Sequence, residues 1–122
     1  TTVVFQSKSL GKPKGRFDAK RVLKMLSNGQ HRVLTGIALI DVNRNKRKVW
    51  CEGTNVFFRS LTGTEIEDYV SSGEADDKAG SYGIQGKAAI FVERIDGCYF
   101  NVMGLPVASL VQEMRILGNS SM

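Results

Sequence analysis

The sequence is poor in the residues that most often carry metal, redox or nucleophilic chemistry: 122 residues hold one histidine, two cysteines and one tryptophan. Cys51 and Cys98 form no CxxC or Cys/His cluster, which excludes a zinc site of the usual spacing and a disulfide framework. They read as reduced, partly buried thiols. His31 cannot serve a triad, since no G-x-S-x-G elbow occurs and neither cysteine has a histidine nearby. At the entrance to an apolar stretch it reads as a hydrogen-bonded structural histidine. No apolar run approaches the roughly 18 residues of a membrane span, and no basic-then-apolar leader is visible. A cytoplasmic address and no membrane partner are expected. Internal repeats, low-complexity tracts and domain linkers are also lacking.

What remains is the composition of an ordinary globular chain, 42% hydrophobic and 24% charged. We expect one domain over residues 1–122, large enough to bury a core without staples. The net charge of +5 permits polyanion binding. However, the densest basic stretch, residues 44–48, reads as a solvated hairpin tip, and nucleic acid is set aside as a partner.

The first residues, Thr1-Thr2-Val3-Val4-Phe5, read as a strand already under way, followed by a polar segment over 6–15. Ala19, Val22, Leu23 and Leu26 recur on one helical face and predict a helix over 16–26 that stops near Gly29. Residues 33–40 are nearly continuously apolar and predict a strand buried on both faces. With residues 48–59, and a turn at 43–46, it forms an antiparallel hairpin whose Trp50, Phe57 and Phe58 serve the core and cross-strand contacts. Thr62 and Glu65 fit a capping box, Leu61 and Ile66 the staple around it, so a second helix runs to about Ser72 and ends at Gly73.

A long loop over 74–87 follows, then a strand at 88–93, an Asp96-Gly97 turn and a second strand through Val102. Pro106 fits the first turn of a last helix, with Val107, Leu110, Val111, Met114 and Leu117 on one face and Gly118 at its end. The fold class is mixed α/β with substantial antiparallel sheet.

Two segments can carry chemistry. In Leu10-Gly11-Lys12-Pro13-Lys14 a glycine permits close backbone approach and Lys12 offers a mobile ammonium, which suits a phosphate oxygen or an exposed turn. Residues 73–86 pack three carboxylates (Glu74, Asp76, Asp77), Lys78, Tyr82, Gln85 and four glycines into one loop. The carboxylates suit a hard cation such as Mg²⁺, Gln85 a base edge and Tyr82 a stacked ring. The spacing G-x-x-G-x-x-G lies before a strand, so it is not a dinucleotide fingerprint. A ligand site and a purely structural loop both stay open. Gly104 and the following helix start would suit an anion as well as a plain turn.

Taken in order, Leu10-Gly11-Lys12-Pro13, Ser27 to His31 with Val33 and Thr35-Gly36, Phe58-Arg59 with Leu61, Asp77-Lys78-Ala79-Gly80-Ser81-Tyr82-Gly83-Ile84-Gln85-Gly86, and Asn101-Val102 with Gly104-Leu105-Pro106 resemble the Maf family of nucleotide pyrophosphatases. The resemblance implies a Maf/inosine triphosphate pyrophosphatase-like fold lacking its N-terminal portion. It also implies conversion of a nucleoside triphosphate to the monophosphate and pyrophosphate, with a divalent cation (Mg²⁺ or Mn²⁺) and a water at the α-phosphorus. The wording of residues 77–86 resembles the dTTP/UTP branch, with Gln85 at the position of substrate choice and Tyr82 and Gly83 beside it. Lys12 matches a phosphate-contacting lysine, and Asp77 with Lys78 a polar site loop. Ala75 stands where the family often has proline.

The family's catalytic aspartate falls just before the residue matching Thr1, which then takes the neighbouring specificity position; in a register one residue over, Thr1 stands on the aspartate's own position, and the carboxylate is absent in either. Nothing here matches the family's S-x-S-x-R-R segment. The resemblance therefore leads us to expect an N-terminally truncated domain, impaired in turnover, or else a non-catalytic nucleotide-binding module. An exposed sheet left by the missing part would favour a homodimer or strand exchange.

Overall fold

A long hairpin forms the spine of the protein. In the computed structural model, which describes residues 1–118, strand β3 (Gln30–Asp41) pairs with β4 (Lys46–Phe58) from Gln30↔Phe57 to Asp41↔Lys46. β1 (Thr2–Phe5) lies on the free side of β3, β2 (Lys8–Leu10) beyond it, and β5 (Val92–Asp96) outside β4. The sheet has the order β2-β1-β3-β4-β5, and every neighbouring pair is antiparallel.

Helix α1 (Arg16–Leu26) forms where its apolar spacing required: Ala19, Val22, Leu23 and Leu26 are all buried. It starts without a side-chain cap. Instead Asp18 in the first turn accepts the Lys14 N–H at 3.0 Å and pairs with Arg21 at 2.8 Å. The Lys14 bond first, then the guanidinium, hold this carboxyl below the usual range. Helix α2 (Gly63–Ser71) carries the expected capping box, with Thr62 and Glu65 exchanging side-chain and backbone bonds. Gly73 ends it in the left-handed region at φ 83°. Ile66, Tyr69 and Val70 of α2 join α1 and the sheet residues Val3, Val33, Val56 and Phe58 in one core. Ser27 accepts the Leu61 N–H at 2.8 Å, which ties the turn after α1 to the start of α2.

Several expectations require correction. β3 is buried on one face only: His31, Val33 and Thr35 face the core, while Arg32, Gly36, Ala38 and Ile40 are exposed. Residues 6–15 contain β2, reached through a turn in which Gln6 and Ser7 both take positive φ, at 50° and 65°. Residues Lys87–Phe91 form a 3-10 turn, not a strand. Their inward residues, Ala88 and Phe91, are three apart, the spacing of a 3-10 turn, and Ile90 is exposed.

The strand expected after Gly97 is a short helix, α3 (Tyr99–Met103), closed by Gly104 at φ 126°. The last helix, α4 (Val107–Gly118), includes Gly118, and none of its residues is buried: Leu110 and Leu117 are half-buried, while Val107, Val111 and Met114 are exposed. Phe57 and Trp50 are only half-buried, Phe57 lying under the Arg94 guanidinium at 4.1 Å. The cysteines are free, but Cys51 is exposed rather than partly buried. Among the described residues, no helix is long and apolar enough to cross a membrane.

Candidate functional site

A cleft of about 720 Å³ opens where the first residues, the loop before α1, the loop after α2 and the end of α3 meet. It gathers residues far apart in sequence: Thr1, Lys12, Asp77, Lys78, Gly83 and Gln85 all line it.

Its walls are tied together by short-range contacts. The Thr1 hydroxyl lies 2.9 Å from that of Thr35 on β3 and donates to the Gly104 carbonyl at 3.3 Å, joining β1, β3 and the end of α3. The Gly80 N–H donates to the Gly11 carbonyl at 3.2 Å, bringing the loop of Lys12 against the loop of Lys78. Gly80 is required twice over. Its φ is 73°, and a Cβ there would lie 2.7 Å from Val3 Cγ2. Asn101 of α3 is fully buried, and its amide nitrogen reaches the Val33 carbonyl at 3.2 Å, the Glu52 carbonyl at 3.3 Å and Thr54 Oγ1 at 3.1 Å. Those bonds fasten the wall formed by Val102, Met103 and Gly104 to the sheet.

The candidate residues divide into those that face the cleft with free chemistry and those that do not. Lys12 and Gln85 are exposed there, as are Asp77 and Lys78, whose charged atoms lie 3.7 Å apart. Tyr82 lines the cleft but offers no open stacking face. It is 6% exposed, its ring packs edge-on against Phe58 and His31, and its hydroxyl lies 2.7 Å from His31 Nε2. Burial raises this phenol above its ordinary range. It also lowers His31 to about 4, so the imidazole is neutral and structural, as its position suggested.

The three loop carboxylates do not converge. Asp76 turns away from the cleft to Arg16 at 3.5 Å. Glu74 is held by the Tyr69 hydroxyl at 3.3 Å and the Lys87 N–H at 3.1 Å. Among the described residues no group of three His, Cys, Asp or Glu side chains could hold a metal ion. Asp77 is the carboxylate that stays exposed in the cleft, paired only with the exposed Lys78.

Sequence reasoning missed Thr35, Tyr69 and Asn101 as parts of the site's framework. A polar residue set in an otherwise apolar pattern was the available signal.

An antiparallel α/β scaffold thus carries an open cleft lined by two ammonium groups, Lys12 and Lys78, the Asp77 carboxylate and the Gln85 amide. The family model described as "Maf-like protein" matches residues 1–117, and the chain belongs to that family. It is 52% identical over 118 residues to a dTTP/UTP pyrophosphatase of Geobacillus sp. (strain WCH70), covering 97% of this chain and 62% of the relative. The corresponding protein of Carboxydothermus hydrogenoformans is 49% identical, with 97% and 63% covered. That of Syntrophomonas wolfei is 53% identical over 108 residues, with 88% and 57% covered. The chain thus spans about three fifths of the length of these curated relatives.

Proposed function

We propose that the cleft binds a pyrimidine nucleoside triphosphate and takes part in its hydrolysis to the monophosphate and pyrophosphate, with dTTP and UTP as substrates in the cytoplasmic nucleotide pool. The observation that carries this reading is the meeting of Lys12, Asp77, Lys78 and Gln85 in one cleft. The relatives' names, dTTP/UTP pyrophosphatase, support the substrate class.

In this reading Lys12 and Lys78 bind the phosphate chain as mobile point charges. Gln85, which both donates and accepts, reads the O4 and N3–H edge of uracil or thymine. Thr1, anchored through Thr35 and Gly104, sets the neighbouring wall. The water oxygen bonds to the α-phosphorus, the bridging oxygen leaves with pyrophosphate, and Asp77 orients the water and accepts its proton.

A divalent cation, Mg²⁺ or Mn²⁺, would neutralise charge on the phosphates. Such an ion takes one or two protein carboxylates beside substrate oxygens, which fits Asp77 and not a cage of three carboxylates, since Glu74 is engaged by Tyr69 and Lys87. Asp76 is not a candidate, since it faces Arg16 outside the cleft.

A second reading, nucleotide binding without turnover, is favoured by one feature: no arginine lines the cleft among the described residues. Phosphoryl transfer without guanidinium groups loses charge stabilisation worth orders of magnitude. The deciding experiment measures pyrophosphate release from dTTP, UTP and methylated GTP with Mg²⁺ or Mn²⁺, beside dTTP affinity and a Gln85→Ala control. Release from dTTP and UTP that drops about tenfold or more in the control supports turnover. Affinity without release supports the second reading. Neither affinity nor release overturns both.

A further inference from the structure

Glu74 lines the cleft, yet its carboxylate is already engaged in a chain of bonds that begins in α2. Tyr69, 4% exposed, packs edge-on against Phe91 with ring centroids 5.2 Å apart. Its hydroxyl oxygen accepts the Gly83 N–H at 3.0 Å and donates to Glu74 Oε1 at 3.3 Å. Glu74 Oε2 in turn accepts the Lys87 N–H at 3.1 Å. The loop is thereby held at its first residue, at Gly83 and at Lys87. Between the last two, Ile84 is buried at 7% exposure and Gln85 alone projects a free polar side chain.

Gly86 completes the arrangement, because a Cβ there would collide with the Glu74 carboxylate. A carboxylate that spends both oxygens on a tyrosine and a backbone amide, beneath a glycine that leaves room for it, is built as a brace.

Resting on the nucleotide reading above, we infer that Tyr69 and Glu74 are positioning residues that fix the Gly83–Gly86 wall, and through it the choice of base at Gln85. The Tyr69 ring supplies core packing; its hydroxyl supplies the alignment. Glu74 acts through the wall rather than on the phosphates. Removing the brace therefore alters selection among bases and leaves binding of the phosphate chain, which Lys12 and Lys78 provide, intact.

The test uses the full 122-residue chain and the variants Tyr69→Phe, Glu74→Ala, Glu74→Gln and Gly86→Ala, each first checked for a retained thermal transition. One arm reads amide hydrogen exchange: Gly83 and Lys87 should exchange roughly tenfold faster in Tyr69→Phe and Glu74→Ala respectively, the loss of one hydrogen bond each. The other arm reads the ratio of dTTP to dCTP affinity beside the affinity for inorganic triphosphate. The dTTP preference should fall by about tenfold in Tyr69→Phe, Glu74→Ala and Gly86→Ala, with triphosphate affinity unchanged. Glu74→Gln keeps the size but offers one acceptor oxygen in place of two, so it should retain only part of the preference.

A dTTP preference that survives in Tyr69→Phe and Glu74→Ala overturns this inference alone. A parallel loss of dTTP and triphosphate affinity overturns it as well, since it would mark general damage to the cleft. Wild-type protein without nucleotide affinity overturns the nucleotide reading and the base-selection part of this inference with it, while the exchange rates still decide whether the brace holds the wall.

Discussion

The two ends of the β3–β4 hairpin share one ladder but live in different surroundings. Between Gln30↔Phe57 and Thr35↔Glu52 the ladder is flanked at Arg32, Val33 and Leu34 by β1 on one side and, at Asn55, Val56, Phe57 and Phe58, by β5 on the other. His31, Val33, Val56 and Phe58 in this part are each 2% exposed or less. From Gly36↔Cys51 to Asp41↔Lys46 the same backbone pairing continues without a flanking strand among the described residues, and Ile40 and Val49 are 65% and 69% exposed. The comparison separates two contributions that usually come together. Backbone pairing continues through both parts, but an unmade bond is costly only where water is excluded. Burial differs, and net stability follows burial.

The largest expected consequence falls at Phe58. It sits within an aromatic cluster, its ring 5.0 Å from His31, 4.8 Å from Tyr82 and 6.1 Å from Phe91. Phe58→Ala should cost about 3–5 kcal/mol in urea unfolding, by transfer and cavity together. A loss below about 1.5 kcal/mol would show that the inner end collapses around the deletion, and the contrast with the outer arm would fail.

Acidification probes the same end without mutation. His31 titrates near 6.5 when unfolded and at about 4 in the fold, because burial disfavours its charged form. The unfolded chain therefore takes up the proton first. Stability is fully present above pH 6.5, declines as pH falls, and stops declining from this source below about 4. The total is about 3 kcal/mol. Unfolding curves at several pH values on wild type and His31→Gln check this: the variant, lacking the group, should lose the slope between pH 6.5 and 4. Glu65, lowered to about 2 by Arg59 and then by the Thr62 amide, adds an acid loss in the same direction at still lower pH.

A smaller effect is expected where the inner end meets the cleft. Asn101→Ala removes the amide that serves Val33, Glu52 and Thr54, and should cost about 1–3 kcal/mol. If the wall of Val102 and Met103 depends on it, nucleotide affinity should weaken in parallel, as read by titration with dTTP. Lost stability with unchanged affinity would separate the sheet from the cleft.

What could be read from the sequence divides along a similar line. Helices α1 and α2 were legible because their signals are local: the apolar spacing of Ala19, Val22, Leu23 and Leu26, and the pairing of Thr62 with Glu65. The hairpin was legible from two apolar runs around a polar turn. α3 was not, because its placement rests on Asn101 bonding to strands 47 to 68 positions away. The turn to β2 was hidden because Gln6 and Ser7 take positive φ without a glycine or asparagine to announce it.

At the site, Lys12, Asp77, Lys78 and Gln85 were visible as unusual composition, but their meeting in one cleft was not visible from spacing. Tyr82 misled. An aromatic in a glycine-rich loop suggests a stacking surface, whereas its partner, His31, lies on another element and draws the ring inward. Glu74 lines the cleft and Asp76 does not, a difference the acidic cluster could not show, since their bonds to Tyr69, Lys87 and Arg16 are set by the fold.

The smallest expected effect is the one that tests the comparison most directly. Val49 pairs with Ala38 in the outer arm and keeps the same ladder as Val56, which pairs with His31 in the inner end. Substituting each by threonine preserves β-branching and strand preference while exchanging a methyl for a hydroxyl. At Val49 the hydroxyl stays in water, and unfolding free energy should change by less than about 0.5 kcal/mol. At Val56, which is fully buried, an added hydroxyl without a partner should cost about 1–3 kcal/mol. Equal losses at the two sites would mean that the outer arm is covered in solution, and the exposed apolar residues Ile40, Val42 and Val49 would then mark the covered surface. Unequal losses would leave burial, rather than the ladder, as the term that distinguishes the two ends.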